Sequence, residues 1–233
     1  INHKLDGIPA IIWASQKGYF NIIKYLVDKN ADINIQDKDG DSSISVAVRS
    51  RRIDIVKYFI EKRANFDLQH NAGKTPLDWA ISLGYEEIAL ELLKAGAEPN
   101  LSSKNDLLVF YSRIGSYDKV KEILSSNVFI DHKYKGIHAL LWASYHGYYQ
   151  IVYLLIEKGA NIDIQDLDGD TALICASLNG HYNVVDFLIK KNANINIKNY
   201  AGVNALLAAV GHRTDLSVVK LLIDRGINTD VKA

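Results

Sequence analysis

The sequence contains no methionine, one cysteine and only three prolines among 233 residues. The single cysteine, Cys175, permits no internal disulfide, so a reducing compartment is the simpler interpretation. No apolar run approaches the length that spans a membrane, and no signal-peptide pattern opens the chain. Because the chain begins at Ile1 and lacks methionine, we expect it to be a piece of a longer protein.

The sequence also lacks an excess of charge of either sign. Its 27 Lys and Arg residues balance 27 Asp and Glu residues, for a formal net charge of +0. No global field therefore draws the chain to nucleic acid or to anionic lipid. We expect no nucleic-acid, membrane or small-molecule partner, no cofactor, and a cytoplasmic monomer.

The most informative stretch covers residues 70–100, with the sequence HNAGKTPLDWAISLGYEEIALELLKAGAEPN. Thr75 followed by Pro76 is typical of a helix start, where a hydroxyl accepts a free N–H and proline removes another. Apolar residues at helical spacing then predict a short helix that stops at Gly84 and a longer one that stops at Gly96. Neither helix can bury its apolar face alone, so this unit needs neighbours.

The neighbours occur at a fixed period. Turn glycines recur every 33 residues in two sets, which are Gly7, Gly40 and Gly73, then Gly136, Gly169 and Gly202. Self-similarity of this length indicates a stacked array of supersecondary units.

Three motifs of this unit carry a resemblance to the ankyrin repeat: Gly73-Lys74-Thr75-Pro76-Leu77-Asp78-Trp79-Ala80, Gly84-Tyr85, and Leu92-Leu93-Lys94-Ala95-Gly96-Ala97. The same motifs recur in register around Gly169, Gly180 and Gly159, so the resemblance covers essentially the whole chain. It implies an all-α ankyrin-repeat solenoid of about seven stacked helix-turn-helix units with short β-hairpin fingers. We expect one domain over residues 1–233, with repeats one to three in 1–102, an irregular repeat four in 103–131, and repeats five to seven in 132–233.

Three places depart from the period. Repeat two has Arg51 and Arg63 where others have Gly or Asn, and a positive φ there costs about 1 kcal/mol, so we expect it to be the least stable intact repeat. Repeat four is three residues short at its front, which predicts a shortened or missing finger and a local change of curvature. Its apolar residues favour continuous stacking over two separate arrays. Repeat seven carries one extra residue within 211–215, which predicts a bulged loop.

Residue types with catalytic or ligand-binding potential are explained by the repeat. Gly73-Lys74-Thr75 resembles the end of a phosphate-binding loop but lacks the glycine that this motif needs at position 68. Cys175 and His181 suggest a nucleophile and base, but His181 fills a position held by tyrosine in other repeats, which the resemblance makes structural. The aspartates around Gly40 and Gly169 lack the closing glutamate of a calcium loop, so turn chemistry is the better explanation. We therefore expect no catalytic residue and no metal site.

One aromatic pattern stays open between packing and binding. Trp13, Trp79 and Trp142 all lie five residues before the glycine between the helices, and Phe110 is their equivalent in repeat four. The resemblance places this position on the first helix, towards a concave groove, where an indole can pack on its neighbour and also contact a partner.

The resemblance implies a set of partner-contacting positions at the finger tips and on the first helices. Carried over onto this sequence, they are Trp13, Arg49, Trp79, Leu83, Phe110, Arg113, Tyr134, Trp142, Tyr145, His146, Asp168, Leu178 and Tyr200. The central candidates among them are Trp79, Phe110, Tyr134, Trp142 and Tyr145. We interpret the cluster of Arg49, Arg51 and Arg52 as a solvated face rather than an anion site.

The resulting hypothesis is non-catalytic protein binding through the concave face and finger tips. Two alternatives stay open. One is a substrate-selecting ankyrin domain of a larger enzyme, or of a host-directed effector acting in host cytosol, whose active domain lies outside this sequence. The other is a purely structural scaffold.

Overall fold

The computed structural model describes residues 4–5, 7–101, 103–211 and 216–227. These residues form two compact units, Ile1–Asn100 (unit 1) and Leu101–Ala233 (unit 2). Among these residues the helices follow one another in contacting pairs, one pair for each predicted repeat, and the few strands are short. The prediction of an all-α repeat fold is confirmed. None of the described helices is long and apolar enough to cross a membrane.

Unit 1 contains one short hairpin and three helix pairs. The hairpin joins β1 (Lys4–Leu5) to β2 (Ile8–Pro9). The pairs are α1 (Ala10–Lys17) with α2 (Phe20–Asp28), α3 (Ser43–Arg49) with α4 (Ile53–Glu61), and α5 (Pro76–Leu83) with α6 (Glu86–Lys94). The first helices stack in sequence, since α1 packs on α3 and α3 packs on α5.

Unit 2 contains four helix pairs and one short hairpin. Its elements are α7 (Lys104–Arg113), α8 (Tyr117–Ile123), β3 (Lys133–Tyr134), β4 (Ile137–His138), α9 (Ala139–Tyr145), α10 (Tyr149–Glu157), α11 (Ala172–Leu178), α12 (Tyr182–Lys190), α13 (Ala205–Gly211) and α14 (Leu216–Asp224). Here too the first helices stack, with α7 on α9, α9 on α11 and α11 on α13.

Helix α5 begins where the sequence predicted a side-chain cap. Thr75 accepts a hydrogen bond from the backbone N–H of Asp78, whose carboxylate accepts one from the N–H of Thr75, so the two residues form a capping box. Ser42 and Ser45 make the same reciprocal pair at α3. Such caps satisfy N–H groups that a short helix cannot pair internally, and each contributes about 1 kcal/mol.

The core of each unit is a column of fully buried aliphatic and aromatic side chains between successive repeats. In unit 1 these include Ile23, Ile44, Ile55, Phe59, Leu77 and Leu92, and in unit 2 Leu108, Leu141, Ile151, Leu155, Leu173 and Leu188. Each lies on the apolar face of its helix, the face that the helical spacing in the sequence identified.

Successive repeats are also joined at the finger turns, the glycine-centred turns that precede the first helices. The backbone N–H of Asn71 donates to the carbonyl of Asp39 at 3.0 Å, and Tyr200 donates to Asp168 at 3.0 Å. The side-chain amide of Gln36 donates to Gly40 in its own turn and to Gln69 of the next repeat. The fingers are therefore fixed by polar contacts from one repeat to the next.

A second junction lies at the turn between the two helices of each repeat. The left-handed Gly147 (φ 72°) leaves room for the ring of His181, and a Cβ there would lie 2.5 Å from His181 Nδ1. The Nε2 atom of His181 is 2.9 Å from the carbonyl of Tyr145. Tyr148 covers Gly115 in the same manner. The interpretation of His181 as a structural residue is supported by these contacts.

The sequence predicted irregularities in repeats four and seven, and the described residues cover them only in part. The described residues between α6 and α7 include no strand, but neither do those before α5, α11 and α13, which have finger turns. The shortened or missing finger of repeat four therefore stays a prediction. Ser102 lies outside the described residues, and so does the predicted bulge of repeat seven, at 212–215. Whether repeats three and four stack continuously stays a prediction.

Arg51 and Arg63 adopt positive φ values of 54° and 59°, as the repeat alignment predicted. Asn30 and Asn192 also have positive φ, at the helix ends equivalent to that of Arg63. We expect Arg63→Gly to stabilise the protein by about 0.5 to 1 kcal/mol, because glycine removes the left-handed strain. In thermal unfolding this is a rise of about 1 to 3 °C. Asn192→Gly is the control and should gain less, since asparagine tolerates this conformation. An unchanged melting temperature for Arg63→Gly would contradict the register.

Alanine substitution at two glycines distinguishes the cost of backbone strain from the cost of a clash between repeats. Gly147→Ala and Gly159→Ala both force alanine to a positive φ, which costs about 1 to 2 kcal/mol. Only Gly147→Ala also drives a methyl group into His181, which adds about 1 to 3 kcal/mol of overpacking, whereas nothing lies within 4 Å of a Cβ at Gly159. Urea unfolding should show the larger loss for Gly147→Ala. Equal losses would show that the His181 contact contributes no stability.

Candidate functional site

The candidate site is the inner surface of each unit, defined as the first helices together with the finger turns that precede them. Most predicted contact residues reach solvent there. Trp13, Leu83 and Tyr145 are 37%, 43% and 40% exposed, and Tyr200 reaches 76%. Arg49 and Asp168 are exposed, and the half-buried set consists of Trp79, Arg113, Tyr134, Trp142, His146 and Leu178.

Phe110 departs from this pattern. Its exposed fraction is 4%, so its ring belongs to the core of unit 2 beside Tyr111, at a centroid distance of 5.2 Å. Phenylalanine has no polar edge that favours contact with solvent, unlike tryptophan at the equivalent place. The expectation that Phe110 offers a contact surface is wrong for this structure, and we leave it out of the site.

In unit 1 the inner surface centres on Trp79 of α5. The Nζ atom of Lys74, in the finger turn, lies 4.3 Å from the centroid of the indole ring, and the guanidinium of Arg49 lies 5.1 Å from it. His70 meets the same ring edge-on at 5.8 Å. A cation over an indole face gains about 0.5 to 1 kcal/mol at an exposed site, so both cations are held against the ring.

Arg49 is positioned by an ion pair as well as by the ring. Its guanidinium donates to the carboxylate of Asp41, whose side chain is 9% exposed, while the Arg49 side chain is 40% exposed. The Asp41 carboxylate also accepts a hydrogen bond from Ser45 Oγ at 3.1 Å. The charge of Asp41 is therefore satisfied inside the repeat, and Arg49 extends from it across Trp79 of the next repeat.

Unit 2 contains a related cluster around Trp142 of α9. The guanidinium of Arg113 lies 4.4 Å from the Trp142 ring, and His146 stacks on that ring with an interplanar angle of 16°. Tyr148 stacks on His146 at 5.5 Å, and Tyr145 meets Trp142 edge-on at 6.1 Å. These rings form one continuous aromatic cluster, of which Tyr145 is the most exposed member.

The two clusters follow one rule of sequence spacing. Arg49 precedes Arg51, and Arg113 precedes Gly115, by two residues at the turn between the helices, and each arginine contacts the tryptophan of the following repeat. Sequence reasoning identified the tryptophans and the arginines separately and missed their pairing. The signal was present as an arginine two residues before one inter-helix turn and a tryptophan five before the next.

The remaining predicted residues lie outside these clusters. Trp13 has Lys17 of its own helix at 5.3 Å. Tyr134 lies on β3 with Lys135 at 5.6 Å from its ring, and Asp168 and Tyr200 are joined through their backbones at neighbouring finger turns. Leu178 is the last residue of α11. The structure thus brings the predicted residues together in two clusters, around Trp79 and Trp142, and leaves the others as isolated positions along the inner surface.

The described residues show no arrangement suited to catalysis by Cys175. Its thiol is 7% exposed, and burial raises its pKa far above the ordinary range, which suppresses the nucleophilic thiolate. The aspartate turns act as the sequence predicted, because Asp37 Oδ1 accepts the N–H groups of Asp39 and Asp41. Within the described parts of the chain no group of acidic, His and Cys residues could hold a metal ion.

Comparison with curated proteins finds similar segments inside much longer enzymes. Palmitoyltransferase ZDHHC17 of Danio rerio and of Homo sapiens are each 29% identical, over 69% of this chain and 32% of their own length. Palmitoyltransferase AKR1 of Lachancea kluyveri is 28% identical, over 72% of this chain and 19% of its own length. The chain therefore spans about a third or less of the relatives that it matches.

A family model described as ankyrin repeats, in three copies, matches residues 2–103, 107–199 and 140–233. These matches span the helix pairs and finger turns of both units. Repeats of this kind are typically non-catalytic protein-interaction modules. The 33-residue period, the capped helix pairs and this match together show that the chain belongs to the ankyrin repeat family.

Proposed function

We propose that this chain is a non-catalytic module that binds a protein partner through its inner surface and finger tips. The observation that carries the proposal is the pairing of tryptophan with arginine in both units, Trp79 with Arg49 and Trp142 with Arg113. We place the main contacts at Trp79, Trp142 and Tyr145, with Tyr134 at a finger.

The residue types and the restricted conformations of their side chains both support this assignment. Tryptophan, tyrosine and arginine dominate the residues whose removal weakens protein interfaces most. Here the tryptophans are half-buried and held by stacked cations or rings, so less side-chain freedom remains to be lost on association. A fixed, partly exposed indole is a better anchor than a mobile one.

A second candidate function follows from the relatives. Those similar proteins are named palmitoyltransferases, and the matching segment covers a minor part of each, so the chain is compatible with a substrate-selecting domain of a larger enzyme. In that case the same inner surface would hold the substrate protein, and catalysis would lie elsewhere. Recovery of the full reading frame decides this point, because it either encodes a transferase domain or does not.

The compartment is part of the proposal. We place the module in a reducing cytoplasm, or in host cytosol if it belongs to a secreted effector. The basis is the single buried thiol of Cys175, which makes no disulfide.

The test is affinity capture from cytosolic extract, followed by mass spectrometry, with the intact chain beside a variant carrying Trp79→Ala, Trp142→Ala and Tyr145→Ala. We expect at least one protein to bind the intact chain and to be lost from the variant, because the anchors are removed. Circular dichroism must first show that both chains are folded.

A matched control removes three exposed tyrosines from second helices, as Tyr25→Ala, Tyr153→Ala and Tyr182→Ala. It loses a similar amount of aromatic surface from a different face, so capture should persist. Equal capture by the intact chain and the tryptophan variant would move the site away from the inner surface. Capture of nothing by either chain would favour a scaffold.

A further inference from the structure

The inner surface of unit 1 is richer in cations than in available carboxylates. Its described finger turns and first helices, with the turns that follow them, carry six basic side chains: Lys17, Lys38, Arg49, Arg51, Arg52 and Lys74. The same segments carry four carboxylates, Asp37, Asp39, Asp41 and Asp78.

Three of these carboxylates are engaged within their own repeat. Asp37 accepts backbone N–H groups of its finger turn, and Asp78 accepts two backbone N–H groups at the start of α5 and beyond α6. Asp41 is paired with Arg49. With Asp41 and Arg49 taken as a neutral pair, five cations remain against three carboxylates, Asp37, Asp39 and Asp78, so these described segments carry a net positive charge.

Part of this charge is organised on aromatic rings, in a group that we call the basic–aromatic strip. The strip consists of Arg49, Arg51, Lys74, Trp79 and Tyr85. Lys74 and Arg49 lie over Trp79 at 4.3 and 5.1 Å, and the Arg51 guanidinium lies 5.5 Å from the Tyr85 ring. It extends from the finger turn to the turn that follows α5.

The ring contacts change the interpretation of these arginines. Sequence alone favoured a freely solvated face, in which long side chains lose much rotamer freedom when a partner pairs with them. In the structure the guanidinium groups of Arg49 and Arg51 lie against rings. Both side chains still reach solvent, because Arg49 is 40% exposed in its side chain and Arg51 is exposed. Cations held in place in this manner give up less entropy on binding an anion.

We infer that the basic–aromatic strip binds an acidic protein segment, whose carboxylates pair with Lys74 and Arg51 and whose apolar side chain packs on the exposed Leu83. This inference rests on the proposed protein-binding function and adds the chemistry of the partner. Charge complementarity selects a partner of opposite sign and speeds its encounter.

Nucleic acid fits the strip less well. Base stacking needs an open ring face, and the Trp79 ring already carries Arg49 and Lys74. Tight phosphate binding also needs many cations along a continuous track, whereas the strip holds three, Arg49, Arg51 and Lys74. An oligonucleotide is therefore a competing outcome of the test.

The test measures fluorescence anisotropy with the intact chain and three labelled synthetic peptides of equal length. One alternates Glu and Ser around two Leu residues, and in the others Gln or Lys replaces Glu. We expect the Glu peptide to bind about tenfold more tightly than either of the others, with an affinity that falls as salt is added. A single-stranded RNA of mixed sequence is titrated in parallel.

Two arginines of repeat two provide a matched pair of variants. Arg51→Gly and Arg63→Gly remove the same charge, and both relieve a positive φ, of 54° and 59°. Both variants should therefore be at least as stable as the intact chain. Only Arg51 belongs to the strip, so Arg51→Gly should lower the affinity for the Glu peptide by about threefold to tenfold. Arg63→Gly should leave that affinity within about twofold of the intact chain's.

Charge reversal gives a second comparison. Lys74→Glu should lower the affinity for the Glu peptide by at least about tenfold, because the new carboxylate repels the peptide and a cation is lost. Lys121→Glu makes the same change on the exposed side of α8 in unit 2 and should leave the affinity unchanged within about twofold.

Equal binding of the Glu and Gln peptides would overturn the inference, as would equal weakening by Arg51→Gly and Arg63→Gly. If the RNA binds the intact chain more tightly than the Glu peptide does, and the Lys74→Glu variant no longer binds it, the strip is a nucleic-acid site instead. If a protein captured by the intact chain is lost from the tryptophan variant while the Glu peptide does not bind, the protein-binding proposal stands and the inference of an acidic partner is rejected.

Discussion

The contact between one repeat and the next is the interaction on which the rest of this structure depends. A helix pair of this length has apolar residues on faces that it cannot bury by itself, and the buried columns that include Leu77 and Leu173 form only where repeats stack. Polar contacts fix the same junctions, through Gln36 at the finger turns and His181 at the turns between helices. Stability is therefore distributed over neighbours rather than concentrated in one centre.

The candidate site follows from the same stacking. First helices that pack in sequence place the end of one beside the middle of the next, which brings Arg49 over Trp79 and Arg113 over Trp142. Each pairing joins residues about thirty positions apart in the chain, as an array of this period requires. The candidate surface and the packing of the array are two sides of the same first helices. The tryptophans pack in part and reach solvent in part, and their role in binding stays a prediction.

Much of the fold was predictable because the signals are local and repeated. Thr75 with Pro76 marked a helix start, and glycine spacing marked the register closely enough to predict a left-handed Arg51 and Arg63. The site was less predictable, because exposure depends on what packs nearby. Phe110 occupies the tryptophan position in sequence but is buried, and the cation over each ring depends on a side chain from another repeat. Nothing in the local pattern reports such contacts.

Because each arginine and its tryptophan come from different repeats, the chemical character of the surface resides at the boundaries between neighbouring repeats. Exchanging one whole repeat would preserve its helices yet alter both boundaries that it shares, giving two new combinations of ring and cation, and duplicating a repeat would add one. A point substitution in Arg49 would alter one combination and leave the scaffold's period intact. Such an array can change the chemistry of its surface in coarse and fine steps without a change of fold.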